Sequence, residues 1–292
     1  MAKKKNKPIK CYAFIDTNIF LDFYRSQNET SLSLLKKLET VSSRVICTYQ
    51  VEMEFLKNRQ KAILDNFNQA QLNIDPKIPA VMDDSKLSGA LKKQKRELDK
   101  RKKDLRRRVS NIISKPQSYD PIYKSLKNIF GSEDSHVLTR DMKIRHKIKR
   151  MAWRRFILGY PPRKNNDTSI GDALNWEWFI ECAKEISGKF IIVSRDSDFG
   201  TSFADSTFLN DALKSEFRER VGQKSLTYTT KLSEALKALE VSVTEAEAKS
   251  ESEEILNKQT SSENSGSGRE FEATMPLEEI LKALERFGKL DK

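Results

Sequence analysis

Two histidines and three cysteines are all that this 292-residue chain offers of the side chains that usually carry acid–base, thiol or zinc chemistry. His146 sits in basic surroundings, and with only His136 beside it in the count, histidine-centred catalysis is not expected. Cys11, Cys47 and Cys182 are too far apart in sequence for a zinc knuckle or a redox pair. Two of them lie in apolar runs, where a free Cys behaves as a small hydrophobe. A reducing cytoplasm without disulfides is the expected setting. No glycine-rich stretch ends in Gly-Lys-Ser/Thr, which excludes the nucleotide cradle that depends on it. No apolar run approaches the roughly 20 residues of a membrane span. The basic segment Met1–Lys10 leads into no run of signal-peptide length. These absences predict a soluble, cytoplasmic protein.

Charge is present in quantity and unevenly placed. The chain carries +12 overall, but residues 241–292 hold seven Lys/Arg against twelve Asp/Glu. Residues 1–240 therefore hold forty-seven against thirty, a balance of +17. A body this basic attracts polyanions, and nucleic acid is the commonest soluble one. Two blocks concentrate the charge. Residues 86–108 contain twelve Lys/Arg and three acids, with Leu91, Leu98 and Leu105 seven apart, which predicts a helix with a narrow apolar stripe. Residues 140–164 contain ten Lys/Arg and one acid, interleaved with Trp153, Phe156 and Tyr160. Like charges spaced four apart on a helix are unfavourable, and a phosphate backbone would relieve them. Arg106, Arg107, Arg108, Arg154, Arg155, Arg163 and Lys164 are the expected phosphate contacts. Trp153 and Tyr160 are candidates for base stacking, with core packing the competing role for Trp153.

The hydrophobic pattern predicts strands at Cys11–Ile15, Val45–Thr48, Phe190–Val193 and Leu226–Tyr228. Helices are expected at Ile19–Tyr24, Ser31–Val41, about Gln50–Leu72, Asp172–Ile186, Asn210–Arg220 and Lys231–Leu239. Strands alternating with helices indicate a parallel α/β sheet flanked by helices in three layers. The expected organisation is a basic tail at 1–10 and a catalytic body at 11–243 that carries a basic helical insertion at about 76–150. A Ser- and Glu-rich linker follows at 244–273, then an amphipathic helix at 274–292. Met275–Leu290 recovers helical spacing through Leu277, Ile280, Leu281, Leu284 and Phe287. Such a helix is marginal alone, so it is expected to dock on the body, on a protein partner or on a second copy.

Acidic residues occupy the places where open α/β sheets put their chemistry, just beyond the carboxyl ends of strands. Asp16 ends the first strand, and Asp196 and Asp198 follow the most apolar one. Glu54 lies one turn into the helix after the second strand, and Asp172 opens a later helix. Taken singly, each has an ordinary role as a cap, a solvated helix residue or a turn former. Taken together, carboxylates meeting in one cleft repel unless a cation neutralises them, and hard oxygen donors suit Mg²⁺ or Mn²⁺.

Phe14-Ile15-Asp16-Thr17-Asn18-Ile19-Phe20-Leu21-Asp22 resembles the opening motif of PIN-domain nucleases. Val51-Glu52-Met53-Glu54-Phe55, Gly171-Asp172-Ala173-Leu174 and Ser194-Arg195-Asp196-Ser197-Asp198-Phe199 resemble the second, third and fourth. Tyr160-Pro161-Pro162-Arg163-Lys164, ahead of the third, is similar to a larger bacterial subgroup. The resemblance spans about 10–240 and implies a metal-dependent phosphodiesterase, usually cutting RNA by metal-activated water. By position it makes Asp16, Glu54, Asp172 and Asp196 catalytic metal ligands and Asp198 a further ligand or an orienting group. Asn18 becomes a support for Asp16 or a substrate contact. The basic insertion has no counterpart in compact members, so substrate choice does not carry over.

Two rivals remain within the same motifs. A dehalogenase-type phosphatase needs a second Asp two residues after the first, and Asn18 stands there. A non-catalytic nucleic-acid binder, or a nuclease directed at DNA, keeps the fold but changes the outcome.

Overall fold

β1 (Cys11–Ile15) is the centre of the molecule because neither of its faces is polar. The computed structural model describes residues 9–26, 28–69, 86–132, 136–163, 169–204 and 206–263. β1 pairs in parallel with β2 (Val45–Thr48) on one side and β4 (Lys189–Val193) on the other. β3 (His136–Leu138) extends the sheet beyond β2, and β7 (Leu226–Thr229) extends it beyond β4. The order is β3-β2-β1-β4-β7, all parallel. Val45–Cys47 and Phe190–Val193 are almost wholly buried, as strands covered on both faces must be. An antiparallel hairpin, β5 (Gly200–Phe203) with β6 (Ser206–Leu209), forms a second sheet beside β7, where the Thr207 hydroxyl donates to the Tyr228 carbonyl at 2.8 Å.

The helices are α1 (Thr17–Arg25), α2 (Glu29–Thr40), α3 (Tyr49–Gln69), α4 (Lys86–Ser114), α5 (Pro116–Tyr119) and α6 (Pro121–Phe130). They continue with α7 (Ile144–Leu158), α8 (Gly171–Glu185), α9 (Asp211–Val221), α10 (Leu232–Ala238) and α11 (Glu245–Glu263). On one face, Phe179 of α8 packs edge-on against Phe14 and Phe190, and Phe217 of α9 joins them. The other face is covered by α10, which packs on β4 and β7 and against α2. The expected three-layer parallel α/β architecture is therefore present. Among the described residues, no helix is long and apolar enough to cross a membrane.

Two stretches carry structure that the sequence pattern did not show. The segment 76–150 is not all insertion. It contains β3, an integral edge strand, and α6, whose Ile122, Leu126, Ile129 and Phe130 are buried. Three residues are too few for a periodic signal, which hid β3. The region expected to be a linker from 244 begins as α11, a helix through Glu263. Its inward positions are Glu247, Ser250, Glu251 and Glu254, spaced as a helix face but polar, so no apolar stripe announces them. Lys37, Ser33, Thr30, Ser31 and Ser26 of the α1–α2 region receive them. Burial raises the Glu247 carboxyl, but Lys37, Ser33 and Thr244 outweigh it and bring it down to about 2. Residues 1–8 of the basic tail and the helix expected at 274–292 lie outside the described residues.

The basic helix α4 is 29 residues long, and Leu91 and Leu105 of its stripe are both 44% exposed. Its foot is fixed by Arg59, a buried α3 residue whose Nη2 donates to the Ile112 carbonyl at 2.5 Å. Arg59 also pairs with buried Asp120, Nε to Oδ2 at 2.8 Å, and lies over the rings of Tyr24 and Tyr123.

Candidate active site

The strand order makes the site. From β1 the chain moves outward through β2 to β3, then returns to the other side of β1 for β4 and β7. The carboxyl ends of β1 and β4 thus diverge at the switch point of the sheet, where open α/β folds form their crevice. Asp16 follows β1 and the Ser194–Asp198 loop follows β4.

Asp16 caps α1, its Oδ1 accepting the Thr17 N–H at 2.6 Å. Its own N–H donates to the Val193 carbonyl at 3.0 Å, fastening the two strand ends together. Oδ2 accepts from Asn18 Nδ2 at 2.9 Å and from the Ser194 hydroxyl. Ser194 Oγ in turn accepts the Asp196 N–H at 3.0 Å, and Asp196 Oδ1 accepts the Asp198 N–H at 3.2 Å. One chain of hydrogen bonds therefore orients Asp16, Ser194, Asp196 and Asp198.

Glu54 enters from α3. Its Oε2 accepts the Thr17 hydroxyl at 3.0 Å and its Oε1 accepts from Gln50 Nε2 at 2.7 Å. Thr17 thus bridges Asp16 and Glu54, with its backbone N–H on one and its hydroxyl on the other. Asp172 stands half-buried in the first turn of α8, directly after Gly171. A β-carbon on Gly171 would fall 2.3 Å from Glu54 Oε1 and 3.0 Å from Gln50 Nε2. The glycine is therefore what lets the third motif close onto the second.

The electrostatics match this crowding. Burial raises the Asp16 carboxyl to about 6, the Asp196 and Glu54 charges add to the rise, and the Ser194 and Thr17 hydrogen bonds oppose it. Tyr228, whose hydroxyl donates to the Ser194 carbonyl at 2.9 Å, is pushed up to about 12 by burial and then by Asp16 and Asp196. Asn18 Oδ1 is buried without a hydrogen-bond partner. Among the described residues, no three His, Cys, Asp or Glu side chains are already arranged as an ion cage. The carboxylate oxygens of Asp16 and Glu54 are instead taken by Thr17, Asn18, Ser194 and Gln50. The donors available are nonetheless all hard oxygens, several carboxylates and an unpartnered amide oxygen, a set that suits Mg²⁺ or Mn²⁺.

The glycine contact gives a first expected result. Gly171→Ala must push the Glu54 carboxylate aside, and displaced ligand-orienting groups typically cost roughly 10–100-fold in metal affinity. A Mn²⁺ titration should show that loss with little change in melting temperature, since the backbone at 171 suits alanine. Unchanged affinity would mean that Glu54 moves freely.

The expected phosphate contacts divide. Arg106, Arg107, Arg108 and Arg154 are exposed. Arg155 is not: it is 4% exposed, with Nε 3.1 Å from Glu177 Oε1 and further contacts to Glu216 and the Pro161 carbonyl. It belongs to the α7–α8–α9 interface, because a buried guanidinium must be paired. Arg163 is half-buried, lies 4.4 Å from the Phe156 ring and donates to the Phe156 carbonyl at 2.8 Å, so its role is also internal. Lys164 lies outside the described residues. Trp153 packs edge-on against Phe156 at 5.8 Å, while Tyr160 is exposed. Sequence reasoning missed Thr17, Gln50, Ser194 and Arg195 as organisers of the acids. Only their adjacency to Asp16, Glu54 and Asp196 hinted at them.

Fold and site together define a class, an open parallel α/β protein with acidic residues following its strands at the switch point. The chain belongs to the PIN domain family, whose family model it matches over residues 13–199. No curated protein and no solved structure matches it. The matched region runs from β1 to just past Asp198 and spans all five acids, whereas α9, α10 and α11 lie beyond it. Membership implies a nuclease in general terms, a divalent metal as its usual cofactor and nucleic acid as the ligand class.

Proposed function

We propose that the protein is a Mg²⁺- or Mn²⁺-dependent endonuclease that hydrolyses phosphodiester bonds, in RNA rather than DNA. The observation that carries this reading is the hydrogen-bonded chain at the switch point, in which Thr17 ties Asp16 to Glu54 and Ser194 ties Asp16 to the Asp196 loop. Ionised carboxylates gathered at one sheet edge lower their energy by sharing a cation. Asp16, Glu54, Asp172 and Asp196 would hold it, with Asp198 joining them or steadying Asp196 through its backbone N–H. When bound, the ion supplies a water of lowered pKa and charge neutralisation for the phosphate. The chain's own part is to fix geometry: Thr17 ties Asp16 to Glu54, Ser194 ties Asp16 to the Asp196 loop, and Asn18 braces Asp16 and faces the substrate. RNA is preferred here because it is the family's usual substrate.

The test is incubation with labelled single- and double-stranded RNA and DNA, with Mn²⁺ and with excess EDTA. Cleavage of RNA that leaves 5′-phosphate and 3′-hydroxyl ends and stops in EDTA is the expected result. Full cleavage in EDTA would sink the mechanism, and cutting confined to DNA would replace the substrate.

The exposed arginines of α4 are assigned to the sugar–phosphate backbone. Reversing Arg106, Arg107 and Arg108 to Glu should weaken RNA binding at low salt by at least roughly 10-fold and flatten its salt dependence. Undiminished affinity at low salt would remove α4 from the binding surface.

A further inference from the structure

Arg195 lies between Ser194 and Asp196, yet its side chain turns away from the acids. Its Nε donates to the Thr230 carbonyl at 3.1 Å, at the turn between β7 and α10. Its Nη1 pairs with Asp22 of α1, and its Nη2 lies 3.3 Å from Glu251 Oε1 of α11. The side chains of Arg195, Asp22 and Glu251 are 19%, 13% and 6% exposed, so these ion pairs are poorly screened. Glu251 has a second duty. Its Oε1 accepts the Leu232 N–H at 2.6 Å and its Oε2 the Ser233 N–H at 2.9 Å, which caps α10.

One loop residue therefore joins α1, the turn into α10, and α11. Two of them, α10 and α11, fall outside the matched family region. α11 reaches this position through polar contacts, as its Glu247, Ser250 and Glu254 rest on hydroxyls and a lysine of the α1–α2 region.

We propose that α11 is a clasp on the active-site loop, acting through the Glu251–Arg195–Asp22 ion pairs, with Arg195 as the positioning residue for Asp196. Arg195 is the one long side chain of the Ser194–Asp198 loop. Asp196 and Asp198 take their bearings from Ser194, and Ser194 is two residues from Asp196 on a backbone that Arg195 pins. Releasing Arg195 lets the Ser194–Asp198 segment move relative to Asp16, whose backbone is held by Val193 and whose Oδ1 is held by Thr17. The consequence for metal binding rests on the nuclease reading above; the consequence for loop order does not.

The test uses the full chain and three variants: Arg195→Gln, Arg195→Lys and Glu251→Gln. Glu251→Gln keeps one acceptor for the α10 cap while removing the charge that faces Arg195. Glu253→Gln, on the outer face of α11, is the control. Amide hydrogen exchange in metal-free protein reads the loop, and Mn²⁺ affinity by calorimetry reads the site. Arg195→Gln and Glu251→Gln should speed exchange at residues 194–198 and weaken Mn²⁺ binding roughly 10–100-fold, the usual cost of losing groups that orient metal ligands. Arg195→Lys should recover part of both, and Glu253→Gln should match the wild type. Unchanged exchange at 194–198 overturns the clasp. Faster exchange with wild-type Mn²⁺ affinity overturns the positioning role and leaves Arg195 a stability residue. A wild-type protein that binds no Mn²⁺ would instead defeat the nuclease reading, and the exchange data alone would then judge the clasp.

Discussion

Asp16→Asn should abolish cleavage and at the same time make the metal-free protein more stable. The two effects share one cause. In the fold, burial and the Asp196 and Glu54 charges hold the Asp16 carboxyl at about 6 against an ordinary 3.8. An acid whose pKa rises on folding binds its proton more tightly in the native state. Between about pH 4 and 6 the folded chain therefore holds a proton that the unfolded chain has released, and stability falls as pH rises through that window. At neutral pH the ionised carboxylate costs the apo fold about 3 kcal/mol. Asparagine removes the charge but is a weaker acceptor for Thr17 and Ser194, which returns about 1 kcal/mol. The net gain should raise the melting temperature by several degrees in EDTA at pH 7, and the gain should shrink as the pH is lowered towards 4. Cleavage should drop below detection because a neutral amide neither neutralises nor holds a divalent cation in place of the carboxylate. In the wild type, protons compete with the metal for Asp16, so activity should decline as pH falls through about 6. An apo Asp16→Asn protein less stable than wild type at pH 7 would show that the acids do not crowd one another. Undiminished cleavage would remove Asp16 from the reaction.

Arg155→Ala should have its largest effect on folding, and little on affinity for RNA. Arg155 shares Glu177 and Glu216 with Arg220, which lies 2.7 Å from the first and 2.6 Å from the second. Trp176 Nε1 also donates to Glu216, at 3.0 Å. Removing one cation from this buried set leaves two carboxylates sharing the other, and breaking a buried pair from one side costs about 3–5 kcal/mol. Urea unfolding of the variant should show that loss. Arg154→Ala, on the exposed side of the same helix, should leave stability within about 0.5 kcal/mol and weaken RNA binding. If Arg155→Ala instead unfolded like wild type and bound RNA poorly, the buried network would be dispensable and Arg155 would be a phosphate contact after all.

These two arginines show where reading a sequence stops. Arg154 and Arg155 sit side by side in the same basic block, and nothing in composition distinguishes them. The rotation of roughly 100° from one residue to the next around α7 places Arg154 in solvent and Arg155 against Glu177, and that choice depends on which face of α7 meets α8. The reverse error occurs in α11. Hydrophobic periodicity finds helices that are driven into place by apolar faces, and the α11 face is Glu247, Ser250, Glu251 and Glu254. The missing β3 is a third case: three residues earn their place only by pairing with β2, a long-range contact invisible in their own pattern.

By itself, the sequence determined the alternation of apolar strands and amphipathic helices, and hence a parallel three-layer sheet. It also determined that Asp16, Glu54, Asp172 and Asp196 fall at the ends of those elements, because strand ends and helix starts are local properties of the chain. The tertiary structure alone decided what those acids share. Thr17 bridges two of them, Gly171 leaves room for a third to approach, and burial raises Asp16 to about 6. It also decided which basic side chains face solvent and which neutralise buried glutamates. Those outcomes depend on distances between residues far apart in sequence, and local pattern carries no distance.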